Sequence, residues 1–244
     1  MTPLVFLHGV GGSHAVWERQ LPYFAVRGYE TRALDQPGYG GTPSVEPYDL
    51  EHVAAALAGQ LPAAPSVLVG HSMGGFLAQE VYARHPGRVR ALVLCFTSAA
   101  FGGSGSDFAR QFIAARIAPL DAGQTMAQIA AQLIPAMRGA RSRDDGVAHA
   151  ERVMAQVPAD TYRQAVRLLT TFDRRADLPR IRVPALLVAG SDDRVAPAAV
   201  MERMAQKIPG AEFVQLEGCG HLGPMDDPDS FNQALAGFLA RRQL

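Results

Sequence analysis

The chain has 244 residues, with 23 Lys+Arg against 23 Asp+Glu and no formal net charge. That length suits one α/β domain with an insertion and can bury a sizeable core. A charge balance this even offers no strong attraction to nucleic acid or to an anionic membrane, so neither is expected as a partner. Cys95 and Cys219 are read as reduced thiols rather than a disulfide. The first residues lack the basic and long apolar regions of a signal peptide, and no apolar run reaches the ~18 residues of a membrane span. A soluble, cytoplasmic protein is expected; composition leaves the oligomeric state open.

Short apolar runs alternate with amphipathic segments. Strands are expected at Leu4–Leu7, Glu30–Leu34, Ser66–Val69 and Val89–Cys95. Helices are expected at Trp17–Val26, Leu50–Leu61 and Met73–Arg84. After residue 178 the pattern resumes, with strands at Ala185–Ala189 and Glu212–Leu216 and helices at Ala198–Lys207 and Ser230–Arg241. Strands separated by helices of about ten residues indicate βαβ units and a parallel sheet. The stretch from residue 97 to 178 reads differently. It opens on Gly102-Gly103-Ser104-Gly105-Ser106 and continues without any strand pattern. Met126, Ile129, Leu133 and Met137 recur at helical spacing, as do Tyr162, Val166 and Leu169, and both stripes are read as packing faces. Residues 1–96 and 179–244 are therefore read as a core, and 97–178 as a helical cap inserted between two strands.

One hydroxyl stands where a strand gives way to a helix, in Val67-Leu68-Val69-Gly70-His71-Ser72-Met73-Gly74-Gly75. Gly-x-Ser-x-Gly alone is a weak signal and fits a glycine-rich turn with an incidental serine. The flanking strand and helix give it meaning. A tight turn there lifts the hydroxyl off the sheet, and side chains at 70 and 74 would collide with backbone. The helix N-terminus directs free N–H groups to the same place.

A serine hydroxyl needs a base, and the base an orienting carboxylate. Of seven histidines, His221 lies in a glycine-rich loop after the last strand, from which it can swing over the sheet's carboxyl edge. Asp192 and Asp193 leave the same edge after Gly190. Asp193 is chosen, with Asp192 as a solvated or turn-capping neighbour. Ser72, Asp193 and His221 then follow the chain order serine, acid, histidine.

Five segments now stand in order: His8-Gly9-Val10-Gly11-Gly12, Asp35-Gln36-Pro37-Gly38-Tyr39-Gly40, Gly70–Gly75, Gly190–Asp193 with Pro197, and Gly220-His221. With them the chain resembles the α/β-hydrolase family over nearly its whole length. The resemblance implies a mostly parallel, doubly wound sheet with a helical cap between two strands. It also implies backbone N–H donors to an oxyanion at Val10 and Met73, and it supports Asp193, three residues after Gly190, as the acid. The family's usual N-terminal antiparallel hairpin is largely missing from this chain.

Within the family the second half resembles 3-oxoadipate enol-lactonases and related small esterases. The likeness rests on Val157–Tyr162, Leu178–Pro184 and Lys207–Ala211. It implies a serine hydrolase of a small carboxylic ester or lactone. No cofactor or metal is expected, because Gly9-x-Gly11 is followed by His14 where a dinucleotide loop needs glycine, and no Cys/His cluster has metal-ligand spacing. The pocket is expected to include His8, Trp17, His71, Phe96 and Leu222, with Leu77 beside them. Arg110 or Arg138 in the insertion could meet a substrate carboxylate, although a solvated helix face explains either one. Two rivals share the fold: a carbon–carbon hydrolase of ring-cleavage dienones, disfavoured by His71 and Leu222, and a slow-turnover ligand receptor. Relatives with an aspartate nucleophile are disfavoured by Ser72.

Overall fold

A computed structural model describes residues 2–244. The first half comprises β1 (Pro3–Leu7), α1 (Gln20–Ala25), β2 (Glu30–Leu34), α2 (Leu50–Gln60), β3 (Ser66–His71), α3 (Met73–Arg84) and β4 (Val89–Cys95). Four helices come next: α4 (Asp107–Asp121), α5 (Met126–Leu133), α6 (Asp144–Ala155) and α7 (Ala159–Leu169). The chain returns to the sheet with β5 (Ala185–Gly190), α8 (Ala198–Ala205) and β6 (Glu212–Leu216), and closes with a short α9 (Gly223–Asp226) and α10 (Pro228–Arg241).

The six strands form one sheet in the order β2-β1-β3-β4-β5-β6, with every pair parallel. No antiparallel strand joins it among the described residues. All residues of β1, β3 and β5 are buried, so helices cover both faces of the sheet. The edge strands β2 and β6 each bury only their last residue. Parallel strands need long crossovers, and the amphipathic helices supply them. Helices α1 and α10 pack on each other, as do α2 and α3.

The register aligns the strand ends. Leu7 sits opposite Gly70, Gly70 opposite Leu94, Cys95 opposite Val188, and Gly190 opposite Leu216. The loops after β1, β3, β4, β5 and β6 therefore emerge along one edge, with the strand order reversing at β1. That edge is where ligands meet open α/β sheets.

Two helices are shorter than their patterns suggest. Trp17 lies in a 3₁₀ turn at His14–Trp17, and α1 begins only at Gln20. The stripe from Met126 to Met137 breaks at Leu133, because Pro135 opens a separate 3₁₀ turn. Cys95 and Cys219 are free and buried. Among the described residues, no helix is long and apolar enough to cross a membrane.

Candidate active site

Ser72 occupies a backbone conformation that side chains rarely adopt, at φ 54° and ψ −119°. Its N–H donates to the Cys95 carbonyl at 2.9 Å, and the Thr97 hydroxyl donates to its carbonyl at 2.8 Å. The glycines on either side admit the turn. A Cβ at Gly70 would lie 2.3 Å from the Gly74 carbonyl oxygen, and one at Gly74 would lie 2.1 Å from that of Leu7. A serine preceding a helix ordinarily turns its oxygen to cap the first N–H groups. Ser72 makes no such bond. Its hydroxyl is left to a different partner.

That partner is His221, whose Nε2 lies 3.1 Å from Ser72 Oγ. Its Nδ1 donates to Asp193 Oδ2 at 2.8 Å. The second carboxylate oxygen of Asp193 accepts N–H bonds from Val195 at 2.7 Å and Ala196 at 2.9 Å. Burial alone would raise the Asp193 pKa, but the His221 ring and these two amides outweigh it and hold the carboxyl below its usual range. Asp192 points elsewhere. It accepts from the Ala140 N–H at 2.8 Å and from the Ser191 hydroxyl at 2.9 Å, tying the segment before α6 to the loop after β5.

The His221 backbone is held from two sides. Its N–H donates to the Met137 carbonyl at 2.9 Å, and its carbonyl accepts from His71 Nε2 at 2.7 Å. Burial, reinforced by the neighbouring His221, lowers His71 to about 3, so its ring is neutral at ordinary pH.

The loop after β1 lies against Ser72: a Cβ at Gly9 would stand 3.1 Å from the Ser72 Cβ. His8 braces this loop from behind, its Nδ1 donating to the Gly9 carbonyl at 2.8 Å while its Nε2 accepts from the Gln36 N–H at 3.2 Å. Burial lowers His8 to about 4, which keeps it neutral too. The Tyr39 hydroxyl donates to the Val10 carbonyl at 3.0 Å. Among the described residues, the N–H groups of Val10 and Met73 meet no protein acceptor.

Ser72 and His221 open onto a cavity enclosing about 970 Å³ free of protein atoms, counting its mouth. His71, Phe96 and Leu222 line it, as do Val10 and Thr97 from the sheet edge. His8, Trp17 and Leu77 do not, which corrects the expected lining: all three are fully buried behind the wall, with Trp17 packed against Phe6 and Phe231. The opposite wall comes from the segment between β4 and β5, through Phe101, Phe112, Arg116, Leu133, Tyr162 and Val166. The two apolar stripes read as packing faces thus also present residues to the cavity. Arg110 and Arg138 stay outside it: Arg110 pairs with Asp107, and Arg138 pairs with Asp144 at 2.7 Å. Reading the sequence missed Thr97 and Arg116. Only the polar residue after Phe96 and the helical phase of α4 hint at them. No group of three or more His, Cys, Asp or Glu able to hold a metal ion occurs among the described residues.

The Alpha/beta hydrolase family model matches residues 4–234. The chain belongs to that family. Among its hydrolase relatives, the Pseudomonas syringae protein named "Putative carbamate hydrolase RutD" is 33% identical over 97% of this chain and 93% of its own length. A pimeloyl-[acyl-carrier protein] methyl ester esterase of Aromatoleum aromaticum is 30% identical over 93% of each chain. The crystal structure of the enol-lactonase from Burkholderia xenovorans superposes with a TM-score of 0.84 at 24% identity, covering 98% of this chain and 92% of that one, a likeness of fold.

Proposed function

We propose that the protein is a serine hydrolase that cleaves a small carboxylic ester or lactone through an acyl-enzyme intermediate. The observation that carries this reading is the continuous chain from Ser72 Oγ to His221 Nε2, and from His221 Nδ1 to Asp193, on a turn that leaves the serine hydroxyl no other task. Its membership in a hydrolase family, and relatives that include a methyl ester esterase, support it.

Ser72 Oγ attacks the substrate carbonyl as His221 Nε2 takes its proton. The N–H groups of Val10 and Met73, left without protein acceptors, face the oxygen that gains negative charge. One such donor is typically worth ~3 kcal/mol of barrier. Asp193 keeps the proton on Nδ1 and stabilises the imidazolium. The tetrahedral adduct collapses, the carbon–oxygen bond to the leaving group breaks, and His221 returns the proton to that oxygen. Water, losing a proton to His221, then attacks the acyl-serine, and the carboxylic acid leaves as Ser72 regains its hydrogen. Residues 97–178 act as a cap in this scheme, supplying the wall opposite Ser72 and, through the Met137 carbonyl, one anchor for His221. The test is Ser72→Ala assayed on short-chain 4-nitrophenyl esters and lactones. Background turnover is expected, and retained turnover would refute the assignment.

A further inference from the structure

The cavity wall is apolar apart from a few groups, and most of these are already engaged. The Thr97 hydroxyl donates to the Ser72 carbonyl, the Ser98 hydroxyl to the Ala100 carbonyl, and His71 to the His221 carbonyl. Arg116 on α4 is different. Its guanidinium stands 5.4 Å from the Phe112 ring centroid and forms no ion pair among the described residues. Its neighbours are paired: Arg110 with Asp107, and Arg163 with both Asp121 and Asp160. Arg116 is half-buried and also sits beside Tyr162, where its charge and a side-chain hydrogen bond to the phenol offset part of the rise that burial imposes; that contact brings no negative charge to the guanidinium. A cation partly withdrawn from water into an apolar wall is unfavourable until an anion joins it. The planar guanidinium fork matches a carboxylate in a two-pronged bond.

We propose that Arg116 is the specificity-determining residue of this cavity, selecting esters or lactones that carry a free carboxylate remote from the scissile carbonyl. This rests on Ser72 attacking from the opposite wall. The substrate would lie with its reactive carbonyl at the Val10 and Met73 amides, an apolar chain along Phe112, Val166 and Leu133, and its carboxylate at Arg116. The acid released would then be a dicarboxylate, bearing an added hydroxyl when the substrate is a lactone.

The probes are 4-nitrophenyl hemiesters of glutaric, adipic and pimelic acid, each compared with its neutral methyl-capped counterpart. Wild-type protein should favour the hemiester in kcat/KM by about 10-fold to 100-fold at the best chain length, which is what one charge-assisted contact supplies. Arg116→Gln should collapse that ratio towards one, mainly through KM. Arg116→Lys should recover part of it, and the exposed Arg110→Gln should keep the wild-type ratio. A second arm measures binding of monomethyl adipate against dimethyl adipate to the Ser72→Ala protein, by thermal shift. Preference for the monoester there, lost on adding Arg116→Gln, supports the subsite even if turnover never depended on Ser72. Equal binding of the two, or an Arg116→Gln ratio equal to wild type, overturns the subsite and leaves the hydrolase reading standing on its own assay.

Discussion

His71 Nε2 donates to the carbonyl of His221 at 2.7 Å, so the residue before the serine holds the backbone of the residue facing the serine's hydroxyl. The two sites are 150 residues apart in sequence. The carbonyl accepts no other bond among the described residues. His71→Ala would leave it buried and unpaired, at a cost of about 1–3 kcal/mol. We expect a lower urea midpoint together with a fall in kcat on a short-chain ester that exceeds any rise in KM. Unchanged kcat would show that this bond does not position His221.

Acid should weaken the fold earlier than its carboxylates alone would dictate. Burial lowers His8 from 6.5 to about 4 and His71 to about 3, so both are neutral when folded. In the unfolded chain each takes up a proton below about pH 6.5. The unfolded state then holds more protons, so stability rises with pH across this window and is lost as pH falls towards 4 for His8 and 3 for His71. The slope is up to ~1.4 kcal/mol per pH unit for each histidine. Asp193 adds a lower window. Its depressed pKa contributes stability above the unfolded carboxylate value of ~3.9, which is lost as pH falls through the folded value. Urea midpoints measured from pH 7.5 to 4 should fall steadily below 6.5, and less steeply in His71→Gln. A flat profile would contradict the neutral, buried assignment.

Gly70 and Gly59 should respond in opposite ways to alanine. At Gly70 the added carbon meets the Gly74 carbonyl at 2.3 Å, and neither strand nor helix can yield. We expect a loss of about 3 kcal/mol or more, read as lost soluble yield or a sharply lower Tm. Gly59 lies near the end of α2 with open space around it, and there alanine should stabilise by roughly 0.5–1 kcal/mol. Equal effects at the two sites would mean that the serine turn is not sterically determined.

The chain after α7 is fastened by a charge pair. Arg174 donates from Nε to Glu80 Oε1 at 2.8 Å and from Nη2 to Oε2, while the Glu80 side chain is only 2% exposed. Removing one partner of a buried pair costs about 3–5 kcal/mol. Arg84 also touches Glu80 at 3.2 Å and softens the loss, so Arg174→Ala should cost about 2–3 kcal/mol in denaturant unfolding. An effect below about 0.5 kcal/mol would place this pair among ordinary surface pairs.

Much of this architecture is written in local pattern. The uninterrupted apolar runs at Leu4–Leu7 and Ala185–Ala189 announce strands, which the fold buries on both faces, and Gly70-His71-Ser72 announces the turn from strand to helix. His221 and Asp193 are legible because each comes after a strand that must end at the same edge. What local pattern does not carry is direction across the fold. Trp17 and His8 look like lining because both follow a strand that ends at the right edge, yet one faces Phe6 and the other braces Gly9. Arg116 is hidden for the converse reason: ten arginines, Arg110, Arg116 and Arg138 among them, stand in residues 97–178, and only packing decides which faces inward.

The central claim is that Ser72 carries an acyl group during turnover. Wild-type protein mixed with a 4-nitrophenyl ester and quenched in acid within the first turnovers should show one acyl adduct by intact-protein mass spectrometry, mapping to the peptide that contains Ser72. The Ser72→Ala protein should show none and should release 4-nitrophenol only at the background rate. An adduct on another residue, or full turnover by Ser72→Ala, would contradict the account.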